Sequence, residues 1–252
     1  MLRSVKKEYG QHFLVDRNIL EVIGRLAELA SDDVVLEIGP GEGVLTRYLA
    51  ERVRRVHAVE IDRALEPALS GLGENVDVVF GDALQLELPQ DATKLVANLP
   101  YNVATPLVVE SLDGLPSVRL WCVMVQREVA ERFFAQPGTK EYGAVSVLVQ
   151  LAAERIGFHP VSRTVFRPQP NVDSALLAFR RTELPTGYGR VKQLVSAGFA
   201  HRRKTLPNSV AQAGLATRDA AAEALAAIGR PAEIRAEALA PAEFVALAEA
   251  LP

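Results

Sequence analysis

The chain has 252 residues, of which 49% are hydrophobic and 23% charged, and its net charge is −3 at pH 7. This composition excludes a disordered chain and is typical of a globular protein with a sizeable core. The single cysteine excludes a disulfide framework, and four histidines without a ligand spacing argue against a zinc site. Because the sequence shows neither a signal peptide nor an uncharged apolar run of roughly 18 residues, we expect a cytoplasmic protein without a membrane partner.

The first 180 residues alternate strand-like and helix-like patterns, which favours an α/β fold with a parallel sheet covered by helices. Asp16 is a candidate N-cap for the first helix. Five strands are predicted at Asp33–Ile38, Val56–Ile61, Val76–Phe80, Leu95–Asn98 and Leu120–Val125. Helices are predicted between them at Leu45–Val53, Arg63–Leu69 and Thr105–Leu112. After a further helix, an antiparallel pair of strands is predicted at Ala144–Ala152 and Ala175–Arg180.

The sequence changes character after Thr182. A linker-like stretch over 184–189 precedes an alanine-rich region with helical periodicity. Gly229 and Pro231 end one predicted helix in this region, and Pro241 lies in the first turn of the last one. We therefore expect two domains, an α/β domain over residues 1–182 and a small all-helical domain over residues 183–252.

The basic residues are concentrated in one part of the chain. Residues 155–218 carry eleven basic and two acidic side chains, a formal charge of +9, which leaves −12 for the other 188 residues. A block of this kind is typical of a surface that binds a polyanion. The alternative is a solvated basic face that is balanced elsewhere on the protein.

A glycine-rich turn follows the first of these strands and opens a helix. Glu37 lies two residues before Gly39, and Gly41 and Gly43 follow at alternate positions. A dinucleotide fold requires G-x-G-x-x-G, and Val44 stands where the third glycine would be. A carboxylate beside the loop repels a pyrophosphate but suits a ligand with an amine and a sulfonium. The turn therefore favours S-adenosylmethionine over a nicotinamide cofactor, although some glycine turns serve only close packing.

Two further carboxylates follow the next two strands. Glu60 ends the second strand, 21 residues after Gly39, where a carboxylate can accept both hydroxyls of a ribose. Asp82 follows the third strand, where it can accept from an adenine amino group or serve only as a turn aspartate. Since ligands of such sheets bind at the carboxyl edge of the strands, the three features in order predict one cofactor site.

The fourth strand ends in Asn98-Leu99-Pro100-Tyr101, a sequence that can handle an exocyclic purine amine. Acceptance of the amine N–H groups by the Asn98 side chain and the Leu99 carbonyl would localise its lone pair. Pro100 stiffens the loop, and Tyr101 can stack on an extruded base, a contact worth roughly 1–3 kcal/mol. Phe166 lies in a proline-rich loop and either covers the other face of the base or packs in the core. The alternative for the whole motif is a plain turn that uses Asn and Pro.

Together these residues resemble the rRNA adenine N6-dimethyltransferases, in particular the kasugamycin-resistance type that modifies small-subunit (16S) rRNA. The resemblance covers nearly the whole chain and rests on the segments Gly10–Leu14, Glu37–Gly43, Asn98–Leu107, Val125–Ala130, Tyr142–Gly143, Phe166–Ser174 and Arg202–Leu206. It implies a Rossmann-like S-adenosylmethionine-dependent methyltransferase domain with a small all-helical C-terminal domain that contributes to rRNA binding. The implied reaction methylates N6 of two adjacent adenosines near the 3′ end of 16S rRNA, during ribosome biogenesis.

The resemblance also implies roles for individual residues. The implied cofactor contacts are His12, Leu14, Gly39, Gly41, Glu60, Asp82 and Asn98. The implied catalytic group is Asn98, Leu99, Pro100, Tyr101 and Phe166, the last two as stacking residues. The implied contacts to RNA phosphates are made by Arg202, Arg203 and Lys204. We expect no metal, and a monomer that binds 16S rRNA in the small ribosomal subunit or its precursor. His12, where many relatives have Asn, and Pro207 depart from the family pattern.

Three other functions remain open at this point. The erythromycin-resistance type shares the cofactor loop but methylates an adenosine of large-subunit (23S) rRNA. A DNA adenine methyltransferase usually has a larger target-recognition domain, and a non-catalytic ribosome assembly factor would retain the fold alone. The runs Arg202–Leu206 and Val172–Ser174 favour the small-subunit type, and the presence of Glu60, Asn98 and Tyr101 favours a catalytic protein.

Overall fold

The computed structural model describes residues 12–201 and 203–252 of the chain. Gly10 and Gln11 of the N-terminal motif, and the predicted RNA-binding residue Arg202, lie outside the described residues. The chain divides into two compact units, one formed by Met1–Ala130 with Arg155–Arg181 and one by Glu131–Glu154 with Thr182–Pro252. Across 12–201 and 203–252, no helix is long and apolar enough to cross a membrane.

Within residues 12–201 and 203–252, the main sheet contains seven strands, which confirms the α/β class. They are β2 (Val34–Ile38), β3 (Arg55–Glu60), β4 (Val76–Phe80), β5 (Lys94–Asn98), β6 (Leu120–Gln126), β7 (Ala153–Val161) and β9 (Ser174–Arg181). Their order is β4-β3-β2-β5-β6-β9-β7. The strands from β4 to β6 are parallel, and β9 is antiparallel to β6. The five predicted strands are therefore confirmed within one residue at each end, because each is a buried run bounded by turn residues.

A second, two-stranded sheet joins distant parts of the first unit. It consists of β1 (Phe13–Leu14) and β8 (Phe166–Arg167), which pair in an antiparallel register that places Leu14 opposite Phe166. The Arg167–Pro168 peptide bond that follows is cis. The pairing brings the N-terminal motif beside the proline-rich loop.

In the described part of the chain, six helices lie before β7 in sequence, and the last of them belongs to the second unit. They are α1 (Arg17–Leu26), α2 (Val44–Ala50), α3 (Glu66–Leu69), α4 (Ala104–Gly114), α5 (Arg127–Phe133) and α6 (Ala144–Ala152), with a short 3₁₀ turn at Arg63–Leu65. The Asp16 carboxylate accepts the Asn18 N–H at 2.8 Å, so the predicted N-cap of α1 is confirmed. The helices predicted after the first, second and fourth strands also form.

The prediction of a strand at Ala144–Ala152 is wrong, because the segment forms α6. Seven of its nine residues are apolar and six are buried, so Ser146 and Gln150 alone do not form a polar face that would reveal the helical period. Without a visible period, the three valines of this segment favoured the prediction of a strand. The helix is fixed at its start by Ser146, whose hydroxyl accepts the Gly143 N–H at 3.0 Å and donates to the Arg132 carbonyl at 2.6 Å. The strand of this region, β7, begins directly afterwards at Ala153.

The second unit is helical after Thr182, as predicted for this part of the chain. It contains α7 (Tyr188–Phe199), α8 (Leu206–Gln212), α9 (Arg218–Ala227) and α10 (Pro241–Ala250). Pro207 lies in the first turn of α8, where the missing N–H of proline has no helical partner to lose. Phe244 of α10 is fully buried and stacks with Phe199 of α7 at a centroid distance of 6.0 Å.

Arg181, at the end of β9, serves the packing of the first unit. Its guanidinium donates to the Leu112 and Leu115 carbonyls at 2.7 and 2.8 Å and to the Val118 carbonyl at 2.5 Å. The same group lies 4.8 Å from the ring centroid of the buried Trp121. One side chain therefore satisfies three carbonyl groups of α4 and of the chain that follows it.

We predict that Arg181→Lys lowers the free energy of unfolding by about 2–4 kcal/mol, because a single ammonium nitrogen cannot reach the three carbonyls that Nε, Nη1 and Nη2 of the guanidinium contact separately. Denaturant unfolding monitored by circular dichroism measures this loss. Arg180→Lys is the matched control, since Arg180 makes an exposed ion pair with Glu28 at 2.7 Å. Such pairs contribute about 0–1 kcal/mol. Equal losses in the two variants would contradict the packing role of Arg181.

Candidate active site

A cavity opens at the carboxyl ends of β2, β3, β4 and β5, all within the first unit. It encloses about 1140 Å³ including its solvent-filled mouth, which is large enough for a nucleoside-sized cofactor and part of a second ligand. It is lined by ten of the residues predicted for the site: His12, Leu14, Gly39, Gly41, Glu60, Asp82, Asn98, Leu99, Pro100 and Tyr101. The structure therefore brings together residues from five separate segments of the sequence.

The glycine turn forms the floor of this cavity. Gly39 and Gly41 have φ angles of +74° and +59°, which side chains rarely adopt. Space is limiting as well, because a Cβ atom on Gly39 would lie 3.2 Å from Pro100 Cδ and one on Gly41 would lie 2.9 Å from Phe13 Cδ1. Both glycines are thus required by backbone conformation and by close neighbours.

Glu60 ties the glycine turn to the end of β3. Its side chain is 4% exposed, and one carboxylate oxygen accepts the Gly41 N–H at 3.1 Å while the other accepts the Asp62 N–H at 2.9 Å. Burial raises the pKa of Glu60, and these backbone hydrogen bonds act in the opposite direction. The carboxylate is held in one orientation at the wall of the cavity, where the sequence predicts a ribose contact.

Asp82 lines the cavity and also closes a local turn. One oxygen of its carboxylate accepts the Leu84 N–H at 2.9 Å, and the other accepts from Gln85 Nε2 at 3.0 Å. The turn role considered for this residue is therefore present in the structure. Its role toward an adenine amino group stays a prediction.

Glu37, the carboxylate that the sequence analysis placed beside a cationic ligand without assigning it a particular contact, lines the same cavity from β2. The side chain is 1% exposed. Burial raises its pKa to about 8, the nearby Thr46 hydroxyl lowers it, and the Glu60 carboxylate raises it. The Thr46 contact falls short of hydrogen-bond geometry, so Glu37 Oε2 and Thr46 Oγ1 have no partner among the described residues. The sequence signal was the acidic residue two positions before the glycine turn.

The Asn98 side chain is oriented by the N-terminal motif. Its Nδ2 donates to the His12 carbonyl at 3.0 Å, which leaves Oδ1 as the acceptor of the amide. Leu99 N–H donates to the Met124 carbonyl at 3.0 Å, and Val103 N–H donates to the Pro100 carbonyl at 3.1 Å. The motif is therefore fixed to β6 and to its own turn before any ligand is bound.

His12 and Ser174 position Tyr101 beside this amide. The Tyr101 hydroxyl lies 2.6 Å from Ser174 Oγ, and burial raises the pKa of the phenol. The Tyr101 and His12 rings are 5.4 Å apart between centroids at an angle of 32°. His12 Nδ1 lies 2.8 Å from the Pro168 carbonyl oxygen. The cofactor contact predicted for His12 is not tested by these interactions, which show instead that the residue joins three segments of the site.

Of the predicted catalytic residues, all of which are described, Phe166 does not line the cavity. It is 2% exposed and belongs to the hydrophobic core of the first unit with Leu14, Ile23 and Leu176. This matches the packing alternative considered for it. The stacking role of Phe166 stays a prediction that requires the proline-rich loop to rearrange around the target base.

Two apolar residues of the cavity were missed by the sequence analysis. Ile61 and Leu84 are 44% and 41% exposed, although both are large hydrophobic residues, and both line the cavity. They provide an apolar wall on which a planar base can lie. Ile61 directly follows the strand-end carboxylate Glu60, and this position was the available signal.

The basic segment is used partly inside the protein. Arg181 is bound to backbone carbonyls as described above, Arg180 is paired with Glu28, and Arg190 donates to the Leu251 carbonyl at 2.8 Å in the second unit. Arg203 and Lys204 are exposed in the turn before α8, and Lys204 Nζ donates to Gln212 Oε1. The charge of +9 therefore overstates what is available to a polyanion.

The seven-stranded sheet, the glycine turn and the carboxylates at successive strand ends define the fold of S-adenosylmethionine-dependent methyltransferases. The chain belongs to the ribosomal RNA adenine dimethylase family, whose sequence model matches residues 2–250. It is 47% identical to ribosomal RNA small subunit methyltransferase A of Rubrobacter xylanophilus, over 96% of this chain and 93% of that protein.

Solved structures agree with this membership. A dimethyladenosine transferase from Plasmodium falciparum superposes with a TM-score of 0.79 at 26% identity, covering 94% of this chain and 96% of the other. The 23S rRNA methyltransferase ErmE superposes with a TM-score of 0.67 at 31% identity, covering 95% and 99%. The fold predicted from the sequence is thereby confirmed for both the sheet and the C-terminal helices.

Proposed function

We propose that this methyltransferase transfers methyl groups from S-adenosylmethionine to N6 of two adjacent adenosines near the 3′ end of 16S rRNA, giving dimethyladenosines. The observation that carries this proposal is the orientation of the Asn98 side chain. Its Nδ2 donates to the His12 carbonyl, which leaves Oδ1 as an acceptor, and both Asn98 and Tyr101 line the cavity. The small-subunit enzymes at 41–47% identity support the choice of acceptor. The proposed setting is the cytoplasm, during ribosome biogenesis.

The residues of the cavity fit the proposed cofactor. S-adenosylmethionine carries an ammonium and a sulfonium group, and the cavity presents the buried carboxyl groups of Glu37 and Glu60. Oε2 of Glu37 has no hydrogen-bond partner among the described residues, which suits a ligand that brings its own donors or charge. His12, Leu14, Gly39, Gly41 and Asp82 complete the proposed cofactor contacts. When bound, the cofactor supplies an electrophilic methyl group.

The Asn98–Tyr101 motif would prepare the adenine amine. Asn98 Oδ1 and the Leu99 carbonyl accept its two N–H groups, which localises the nitrogen lone pair. Pro100 keeps the loop rigid, and Tyr101 stacks on the extruded base. Such stacking is worth roughly 1–3 kcal/mol, comparable with the few kcal/mol that unstacking a base requires. Because the methyl donor is already electrophilic, alignment contributes most of the rate and no strong base is needed.

The C-terminal helices would hold the RNA. In this proposal residues 183–252 form the rRNA-binding domain, and the α/β domain over 1–182 carries out the chemistry. Arg202, Arg203 and Lys204 contact phosphates, which gives affinity without base readout. We propose that a monomer acts on the small ribosomal subunit or its precursor and that neither a metal nor a membrane takes part.

The choice of acceptor is tested by labelled methyl transfer to unmethylated small subunits, with 23S rRNA as a parallel acceptor. We expect label as dimethyladenosine at two adjacent positions of 16S rRNA. Label on 23S rRNA alone would assign the protein to the erythromycin-resistance type, which the similarity to ErmE makes the second candidate. Tight binding to subunits with no label on either RNA would identify a non-catalytic assembly factor.

We predict that Asn98→Ala reduces methyl transfer by at least about 100-fold while the cofactor Kd changes by only a few fold, because the variant loses the acceptor that holds the target amine. Single-turnover kinetics and calorimetric titration measure the two effects. Asn18→Ala is the matched control, since Asn18 is exposed on α1. Parallel losses of catalysis and cofactor binding would show that Asn98 serves the cofactor alone.

We predict that Glu substitutions at Arg202, Arg203 and Lys204 weaken rRNA binding and reduce the slope of log K against log salt by about two, because each lost phosphate contact removes about 0.7–0.9. Filter binding between 50 and 200 mM salt measures the slope. Arg54→Glu with Arg119→Glu is the control, because both arginines are exposed and precede β3 and β6 at the edge opposite the cavity. A slope equal to that of the wild type would mean that the triplet is a solvated face.

A further inference from the structure

Among the described carboxyl groups that line the cavity, Glu37 is the one that is buried and also has an oxygen without a hydrogen-bond partner. Glu60 and Asp82 each use both oxygens as acceptors for protein N–H groups. Glu37, in contrast, has one buried oxygen without a partner and lines the cavity from β2. A buried ionised carboxylate requires an opposite charge or several donors.

Among residues 12–201 and 203–252, no positively charged side chain acts on the Glu37 carboxyl group. The charged neighbour that acts on the Glu37 carboxyl is Glu60 from β3, which makes ionisation less favourable. Charged and titratable side chains of the adjoining α2 and β5 have other partners: Arg47 binds the Glu42 and Ala68 carbonyls, Tyr48 binds Glu21, and Lys94 binds Asp33. The other titratable groups that line the cavity are His12, Glu42, Asp82 and Tyr101.

We infer that the Glu37 carboxyl is protonated in the empty cavity and releases its proton to solvent when a cationic methyl donor binds, so that cofactor binding and proton release are coupled. This inference rests on the proposed function, because it requires that the ligand carry a positive charge. The sulfonium and ammonium groups would supply the positive charge that the described residues around Glu37 do not provide. The bound cation and the Glu37 carboxylate then stabilise each other, because Glu37 is buried and the attraction is weakly screened there.

The coupling has a defined direction with pH. The raised pKa of about 8 means that Glu37 is about nine-tenths protonated at pH 7 in the empty site. A cation that lowers this pKa by three or more would release about 0.9 proton per site at pH 7. Relative to Glu37→Gln, a comparison that removes the effect of the ligand's own amino group, affinity for the donor then rises by about fiftyfold in Kd between pH 6 and pH 8 and levels off above pH 9. Protonation opposes cofactor binding in this pH range, whereas an ordinary exposed carboxylate is already ionised here and would add no pH dependence.

Calorimetric titration with S-adenosylmethionine tests the inference without any need for methyl transfer. Repeating the titration at pH 7 in buffers of different ionisation enthalpy gives the number of protons released. We expect wild-type protein to release about 0.9 proton more than Glu37→Gln, which keeps the shape of the neutral carboxyl but cannot ionise. Subtraction of the variant removes the contributions of the ligand amino group and of other residues. Glu51→Gln, a change at an exposed acidic residue at the end of α2 that is not part of the cavity lining, should release as many protons as the wild type.

A second ligand keeps the test independent of the variant. 5′-Methylthioadenosine has the adenosine and the thioether but neither cationic group, so its binding to wild-type protein should release no proton from Glu37. Equal proton release with both ligands, or equal release by wild type and Glu37→Gln, would overturn the inference while leaving the proposed function intact. If wild-type protein binds no S-adenosylmethionine at all, the proposed function fails and the coupling fails with it.

Discussion

The Glu60 carboxylate accepts backbone N–H groups from Gly41 and Asp62, and the site is built outward from this pair of hydrogen bonds. They fix the glycine turn against the end of β3. The turn then leaves room for Pro100 on one side of Gly39 and for Phe13 on the side of Gly41. Phe13 and Pro100 belong to the segments that carry His12 and Asn98. The glycine turn therefore packs against the same two segments that orient the Asn98 side chain.

Charge is distributed unevenly along the chain in a way that suits two different ligands. The cavity is lined by carboxyl groups, which favour a small cationic donor and repel phosphates. Exposed basic residues occur in both units, and in the second unit they include Arg203 and Lys204. An enzyme that binds both a cationic cofactor and a polyanionic substrate needs a negatively charged surface for the first and a separate, positively charged surface for the second. The net charge of −3 conceals this arrangement.

Much of the fold could be predicted because buried runs between turn residues leave strong local signals, and the strands from β2 to β6 follow this pattern. The segment Ala144–Ala152 could not, because a helix that is buried on nearly every side shows no period. Most site residues were found from their places at strand ends. The bond between Asn98 and the His12 carbonyl was beyond prediction, since it joins residues 86 apart through a backbone atom. Phe166 shows the same limit, because its burial depends on the whole first unit.

The pairing of β1 with β8 has a consequence for synthesis of the protein. Phe13 and Leu14 emerge from the ribosome early, but their partners Arg167 and Phe166 follow some 150 residues later. Such long-range pairs close slowly, and at typical elongation rates of about 5–20 residues per second the partner appears only after roughly 10–30 s. One wall of the cavity is therefore completed last. A nascent chain with the glycine turn and the first five strands of the sheet already in place would still lack a finished site.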